Sequence, residues 1–306
     1  MSSKTFLFMM FKEQFFNYLI FEKRTSNHTV EAYKTDILQF EMFASSLFNL
    51  HDIAEADSDT IRTWIVNLLE HGISTRSVNR KISSLKAFYF YLIKIDVIKI
   101  NPMEKVITPK TSKRLPVFLE VPTMDKLFSS EILFTDDFQG VRDRAIMEIF
   151  YATGMRRAEL LGLKFSDIDF YEQTLKVLGK RNKERIIPFG KHLADILENY
   201  FNFYAQKWEL NQNSCIFVSE KGVPLTSQSV SKIVHKYLDM ITTVDKRSPH
   251  VLRHTFATHL LNQGADINAI KELLGHSSLA ATQIYTHNTI SKLKSIYNQA
   301  HPRAQK

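Results

Sequence analysis

The side chains most able to do chemistry in this chain lie in its second half. Arg156 sits in Thr-Gly-Met-Arg-Arg-Ala-Glu-Leu, Lys180 in Gly-Lys-Arg-Asn-Lys, and His250-Val-Leu-Arg253-His254 follows Ser248-Pro249. His276 ends Leu-Leu-Gly-His, and Tyr285 comes nine residues later in Thr-Gln-Ile-Tyr-Thr-His. A guanidinium presents a rigid fork of donors to an anion, and an imidazole exchanges protons near neutrality. A phenol is a nucleophile masked by its pKa of about 10. Singly, each residue has a plainer account. Arg156 can pair with Glu159 one turn later, His276 can cap a helix after Gly275, and Tyr285 can pack as an amphipathic core residue. Together they are too specific in type to set aside.

Other chemistries find no support. The sequence has no glycine-rich phosphate loop, no paired-histidine zinc signature with an intervening Glu, and no Gly-x-Ser-x-Gly elbow. His250, His254 and His259 have no neighbouring carboxylate to complete a metal site, so no metal is expected. Cys215 is the only cysteine, which excludes an intramolecular disulfide and fits a reducing compartment. No run approaches the ~20 apolar residues that span a bilayer, and the apolar residues near the N-terminus are too few for a signal-peptide core. A cytoplasmic protein is expected, with no membrane partner. Lys and Arg outnumber Asp and Glu by 40 to 32, a surplus that favours a polyanionic partner over a neutral metabolite.

Positioning these residues requires two domains, as 306 residues suggest. Residues 10–100 read as helical, with Phe11, Phe15, Tyr18 and Leu19, then Tyr33, Ile37 and Phe40, recurring at three and four. Thr25-Ser26-Asn27 marks a helix start, and further helices are predicted near 58–70 and 76–94. The last carries Arg76, Arg80, Lys81 and Lys86 beside Val78, Ile82, Leu85, Phe88 and Tyr89. Those cations suit either a phosphate backbone or a solvated helix face. Residues 101–116 hold Pro102, Pro109 and Pro116 among Lys105, Lys110, Lys113 and Arg114, and read as a basic, extended linker.

In the second domain a helix over Asp143–Thr153 ends at Gly154, and a short helix spans Arg156–Gly162. Residues 173–188 read as a β-hairpin with a cationic tip that includes Lys180, Arg181 and Lys183. Helices are predicted at 191–207 and 227–241, with Ile216-Phe217-Val218 as a strand between them. Ser248-Pro249 opens the next helix, Asp266–Leu274 forms another, and 289–300 is terminal.

These motifs closely resemble those of the tyrosine recombinase (phage integrase) family, in which Arg, Lys, His-x-x-Arg, His or Trp, and Tyr form the catalytic set. Here the set falls on Arg156, Lys180, His250, Arg253, His276 and Tyr285, with Tyr285 as nucleophile. Thr29-x-x-Ala32-Tyr33-x-x-Asp36 resembles the family's helical core-binding domain. The likeness is greatest to the bacterial Xer recombinases, because the chain starts near the core-binding domain and finishes His301-Pro302-Arg303-Ala304. Arg181 departs from the pattern, standing where many relatives place Gly.

The resemblance implies a mainly α fold with a small β-sheet, closing on DNA as a C-shaped clamp. It implies residues 1–100 as a SAM-like core-binding domain, 101–116 as linker and 117–306 as catalytic domain. The implied reaction is attack of Tyr285 on a DNA phosphodiester, giving a 3′-phosphotyrosine and a free 5′-hydroxyl. Arg156, Arg253 and His250 would hold the phosphate, and Lys180 would protonate the leaving oxygen. His276 would accept the phenol proton or donate to a phosphate oxygen. The phosphotyrosine conserves the ester's energy, so no cofactor is expected. Implied partners are a double-stranded recombination site, and four protomers, alike or of two kinds, on two sites; a septal DNA translocase is suggested by the Xer likeness. Chromosome-dimer resolution at cell division is the expected role, against an integrase of a phage or mobile element. A type IB topoisomerase and a non-catalytic DNA-binding protein are the more distant alternatives. Leu293, Ile296, Tyr297 and Ala300 form an apolar stripe on the terminal helix, expected to dock on a neighbouring protomer.

Overall fold

A computed structural model of the chain describes residues 3–111, 117–130, 132–179, 184–244, 247–275 and 287–304. The chain divides into two compact units, Met1–Arg114 and Leu115–Lys306.

The first unit is helical. Helix α1 (Ser3–Asn17) runs into a π-helical turn at Tyr18–Glu22, followed by α2 (Asn27–Phe48), α3 (Ser58–Glu70) and α4 (Thr75–Lys94). Side-chain oxygens set the starts of α2 to α4: Ser26 accepts from the Thr29 N–H, Asp57 from Thr60 and Ser74 from Ser77. Each occupies one of the donors that a helix start leaves unpaired. The apolar stripe of α4 is buried as its spacing predicts, against Phe15, Ile37, Phe40 and Trp64.

Residues 101–109, the first part of the stretch read as a basic, extended linker, pack on the first unit. Met103 and Val106 are buried in the same core, Ser58 Oγ donates to the Pro102 carbonyl at 2.8 Å, and Asn79 Nδ2 donates to that of Pro109 at 2.9 Å. The prolines forbid a helix, but they leave two apolar side chains with surface to bury.

The second unit surrounds α6 (Phe138–Thr153), nearly all of whose residues are buried. Its apolar residues face the core on several sides, its buried Arg142 and Asp143 pair with each other, and α8 (Lys191–Ala205) and α10 (Pro249–Asn262) pack against it. Around them lie α5 (Val121–Ser129), α7 (Arg157–Gly162), α9 (Ser227–Ile241), α11 (Ile267–Leu274) and α12 (His287–Ala300). The sheet is antiparallel in the order β1 (Ile168–Asp169), β2 (Thr174–Leu178), β3 (Glu184–Pro188), with Val177 opposite Arg185. Residues 216–218 are buried but join no strand. The Ile216 N–H goes to Leu163, the Phe217 carbonyl accepts from Leu225, and only Val218 forms an isolated bridge, to Pro224.

The terminal helix was expected to dock on a neighbouring protomer. In the single chain, Leu293, Tyr297 and Ala300 are buried in the second unit's own core and Ile296 packs against it. The residues after the stripe supply an anchor that helix periodicity cannot count. His301 Nε2 donates to the Tyr151 carbonyl at 3.1 Å, and the Arg303 guanidinium lies 4.6 Å from the Phe128 ring centroid. The Ala304 carbonyl crosses so close to Gly190 that a Cβ there would lie 2.8 Å from it.

Candidate active site

Arg156 is the residue before α7, in extended backbone, and Glu159 folds back to accept its N–H at 2.7 Å. That contact ends the preceding turn and starts the helix. The same carboxylate accepts Arg156 Nη1 at 2.9 Å and both terminal nitrogens of Arg185, at 2.7 and 2.8 Å. Burial alone would raise the Glu159 carboxyl. The hydrogen bonds and charge of Arg185, then those of Arg156, outweigh it and hold the group below the ordinary carboxylate range.

The C-terminal end of α11 gathers three guanidinium groups. Arg185 Nε donates to the Leu273 carbonyl at 2.9 Å, Arg253 Nη2 to Leu274 at 2.6 Å and Arg156 Nη2 to Gly275 at 3.0 Å. These are carbonyls that a helix leaves without partners, at the negative end of its dipole. Gly275 turns the chain there with φ +62°, and a Cβ on it would lie 3.1 Å from Arg185 Cδ. Arg253, on α10, also donates Nη1 to the Gly154 carbonyl at 2.6 Å. Gly154 has φ +58°, and a Cβ on it would strike the Phe256 ring at 2.4 Å. Burial, then the Arg156 and Arg185 charges, lower Arg253 to about 10, so it stays a cation at neutral pH.

His250 lies in the first turn of α10, exposed and one turn before Arg253. Partial burial, then Arg253, His254 and the Arg157 and Arg156 charges hold its imidazole below the usual value. His259 plays a core role: its Nε2 donates to the Leu119 carbonyl and its Nδ1 accepts from the Tyr151 hydroxyl. Among the described residues no group of three or more His, Cys, Asp or Glu side chains is placed to hold a metal.

Of the predicted catalytic set, Arg156 and Arg253 are brought together, with His250 on the same helix as Arg253. Lys180, His276 and Tyr285 lie outside the described residues, as do Lys113, Arg114, Arg181 and Lys183. Sequence reasoning missed Arg185. Its signal was its place in β3, an inward position between Glu184 and Ile186 where an unpartnered cation would not be tolerated.

On α4, Arg76 and Lys86 are exposed, and Arg80 is half-exposed and paired with Asp36. Lys81 is not available to a phosphate, which corrects its place among the DNA-binding candidates. It is only 6% exposed, and its Nζ is bound to Asp36 Oδ1 at 3.0 Å and to Gln39. Successive helix residues point about 100° apart, so a neighbour of an exposed cation can face the core.

The family description "Phage integrase family" matches residues 125–292, and "Phage integrase, N-terminal SAM-like domain" matches residues 13–95. A tyrosine recombinase XerC of Bacillus subtilis (strain 168) is 38% identical over 299 residues, covering 97% of this chain and 97% of that protein. One of Chlorobaculum tepidum is 36% identical over 315 residues, covering 95% and 94%. Among solved structures, the XerH recombinase bound to palindromic difH substrate has a TM-score of 0.71 at 20% identity, covering 92% of this chain and 78% of that one. The Tn1549 transposon integrase in complex with transposon right end DNA also reaches 0.71 at 20% identity, covering 93% of each chain. These two likenesses concern the fold. With both halves matched and curated relatives aligned over nearly their full length, the chain belongs to the phage integrase family, that of the tyrosine site-specific recombinases.

Proposed function

We propose that this chain cuts and rejoins DNA at a specific site through Tyr285, in the Xer manner that resolves chromosome dimers at cell division. The phenol oxygen attacks the phosphorus and the bond to the 5′ oxygen breaks. A 3′-phosphotyrosine remains, and Lys180 protonates the leaving oxygen. Charge growing on the non-bridging oxygens is met by Arg156 and Arg253, with His250 as a further donor at a helix N-terminus. His276 accepts the phenol proton or binds a phosphate oxygen. The single observation behind this reading is that Arg156 and Arg253 are tied to the carbonyls of Gly275 and Leu274, the two residues immediately before His276.

Arg76, Arg80 and Lys86, with Lys113, Arg114, Arg181 and Lys183, are the proposed backbone contacts. Strand exchange needs four protomers on two duplexes, whether alike or shared with a second recombinase. A septal DNA translocase is the proposed regulator and the cytoplasm the proposed compartment. Among the described residues no helix is long and apolar enough to cross a membrane.

The test is a duplex nicked beside the cleavage point, which traps the covalent adduct because the short 5′-hydroxyl fragment diffuses away. Wild type is expected to form an adduct that survives denaturation, and to form it in excess EDTA. Tyr285→Phe is expected to bind the same DNA and form none. An adduct with Tyr285→Phe refutes the assignment.

A further inference from the structure

Arg185 is the most fully enclosed cation of the arginine cluster. Its side chain is 4% exposed, and all three of its nitrogens are occupied, Nε by Leu273 and the terminal pair by both oxygens of Glu159. Its burial, not a shortage of donors, keeps it from DNA. Arg156, by contrast, is 32% exposed at the side chain and shares Glu159 with it. We propose that Arg185 is a positioning residue for strand cleavage, which acts by holding Glu159 so that Arg156 keeps its charge for the phosphate. This rests on the cleavage chemistry proposed above.

The electrostatic reason is a matter of signs. Arg156, Arg185 and Arg253 with Glu159 sum to two positive charges around one buried carboxylate. Removing Arg185 leaves one positive charge, and among the described residues it leaves Arg156 as the one guanidinium hydrogen-bonded to Glu159. A buried carboxylate with one cation draws it into a bidentate pair, and the guanidinium fork then faces the protein in place of the phosphate. With Arg185 in place, Arg156 gives Glu159 a single guanidinium nitrogen.

Geometry adds a second duty. Arg185 belongs to β3, five residues after Lys180, and its Nε binds the Leu273 carbonyl, three residues before His276. Its side chain also lies under Gly275. One side chain thus sets the spacing between β3, the start of α7 and the end of α11, the segments that lead to Lys180, Arg156 and His276.

The experiment uses the full chain and the nicked duplex, and measures adduct formation at saturating DNA beside equilibrium binding and thermal unfolding. Arg185→Met is expected to bind DNA as wild type does and to form adduct more slowly by roughly tenfold or more, the effect of one charge lost near the reacting phosphate. Arg185→Met combined with Glu159→Gln is expected to be faster than Arg185→Met alone, by roughly threefold or more, because the unshared carboxylate is gone. A merely structural ion pair predicts that any such gain follows the thermal unfolding, since Glu159→Gln also removes a stranded buried charge, whereas a positioning role predicts faster cleavage at saturating DNA without a matching recovery of stability. If Arg185→Met does not fold, Arg185→Lys carries the comparison. It keeps the charge without the fork, so slow cleavage with normal binding is expected, and wild-type cleavage overturns the proposal. A double variant no faster than Arg185→Met also overturns it, as does wild-type cleavage by Arg185→Met. Failure of the wild type to form any adduct rejects the cleavage chemistry itself and is read separately.

Discussion

Each unit of the molecule contains a buried carboxylate between one enclosed cation and one that reaches the surface. In the first, Asp36 holds Lys81 inside and Arg80, 44% exposed at the side chain, outside. In the second, Glu159 holds Arg185 inside and Arg156 outside. The difference lies in where the cations come from. Arg80 and Lys81 are adjacent on α4, and Ser84 Oγ from the same helix completes the Asp36 shell at 2.7 Å. Arg156 and Arg185 come from separate elements and are also bound to the end of α11. The first cluster can aim one side chain and hold two helices together. The second can set the relative positions of three segments, β3, the start of α7 and the end of α11, that lead to proposed catalytic residues. The same carboxylate-and-two-cations device serves anchoring in one unit and alignment in the other.

The largest effect that tests this contrast is on stability. Asp36→Ala strands Lys81 in the core and is expected to destabilise the first unit by about 3–5 kcal/mol. Chemical denaturation followed through Trp64 measures it, and a loss under 1 kcal/mol would mean Lys81 simply moves to water. DNA already bound is expected to be cleaved at the normal rate.

Glu159→Ala is the matching change in the second unit, and its signature is kinetic. Adduct formation on the nicked duplex is expected to slow by about a hundredfold, the scale of losing one oriented transition-state donor, with binding little changed. If binding falls and the cleavage rate holds, the two clusters do the same job and the contrast is void.

A third buried carboxylate sharpens the comparison through pH. Glu148 is bound by His192 Nε2 at 3.1 Å and Arg303 at 3.6 Å, beside His301 of the terminal anchor. Burial, only partly opposed by the Tyr151 carbonyl, holds His301 down to about 3, and its Nδ1 accepts from the Arg303 N–H while Nε2 donates. The folded state therefore keeps a neutral ring. The unfolded chain takes up a proton below about pH 6.5, so stability falls as pH drops from there toward 3. The expected contribution is about 1.4 kcal/mol per pH unit between pH 6 and 4, and His301→Gln removes it from the slope. An unchanged slope would show that the anchor opens before His301 titrates.

The smallest effect separates the two cations of Asp36. Arg80→Ala is expected to lower the salt dependence of DNA binding by about one phosphate contact, and Lys81→Met to leave that slope alone. Equal slopes for the two variants would mean that Arg80 serves Asp36 only.

Local pattern made much of this legible. Helix starts at Ser26, Asp57 and Ser74, the buried stripe of α4, the hairpin flanking residues 180–183 and the αL stops at Gly154 and Gly275 all follow from side-chain chemistry within a few residues. Arg156 with Glu159 was also readable, because a Glu three residues after a helix start lies within reach of that start. Arg185 was not, because a cation in a strand carries no mark of the carboxylate that will face it.

The sequence by itself determined the elements, the family and the chemical types of the proposed catalytic set, since periodicity, caps and motif order are properties of neighbouring residues. Only the tertiary structure decided which cations are spent inside. Lys81 and Arg185 are as charged in sequence as Arg80 and Arg156, but a buried ion is tolerated only where several partners converge on it. That convergence unites Asp36 with residues 44 to 48 positions away, and Glu159 with a side chain 26 positions away. It likewise covers the stripe of α12, because the anchor at His301 and Arg303 exists only once α5, α6 and α8 have come together to receive it.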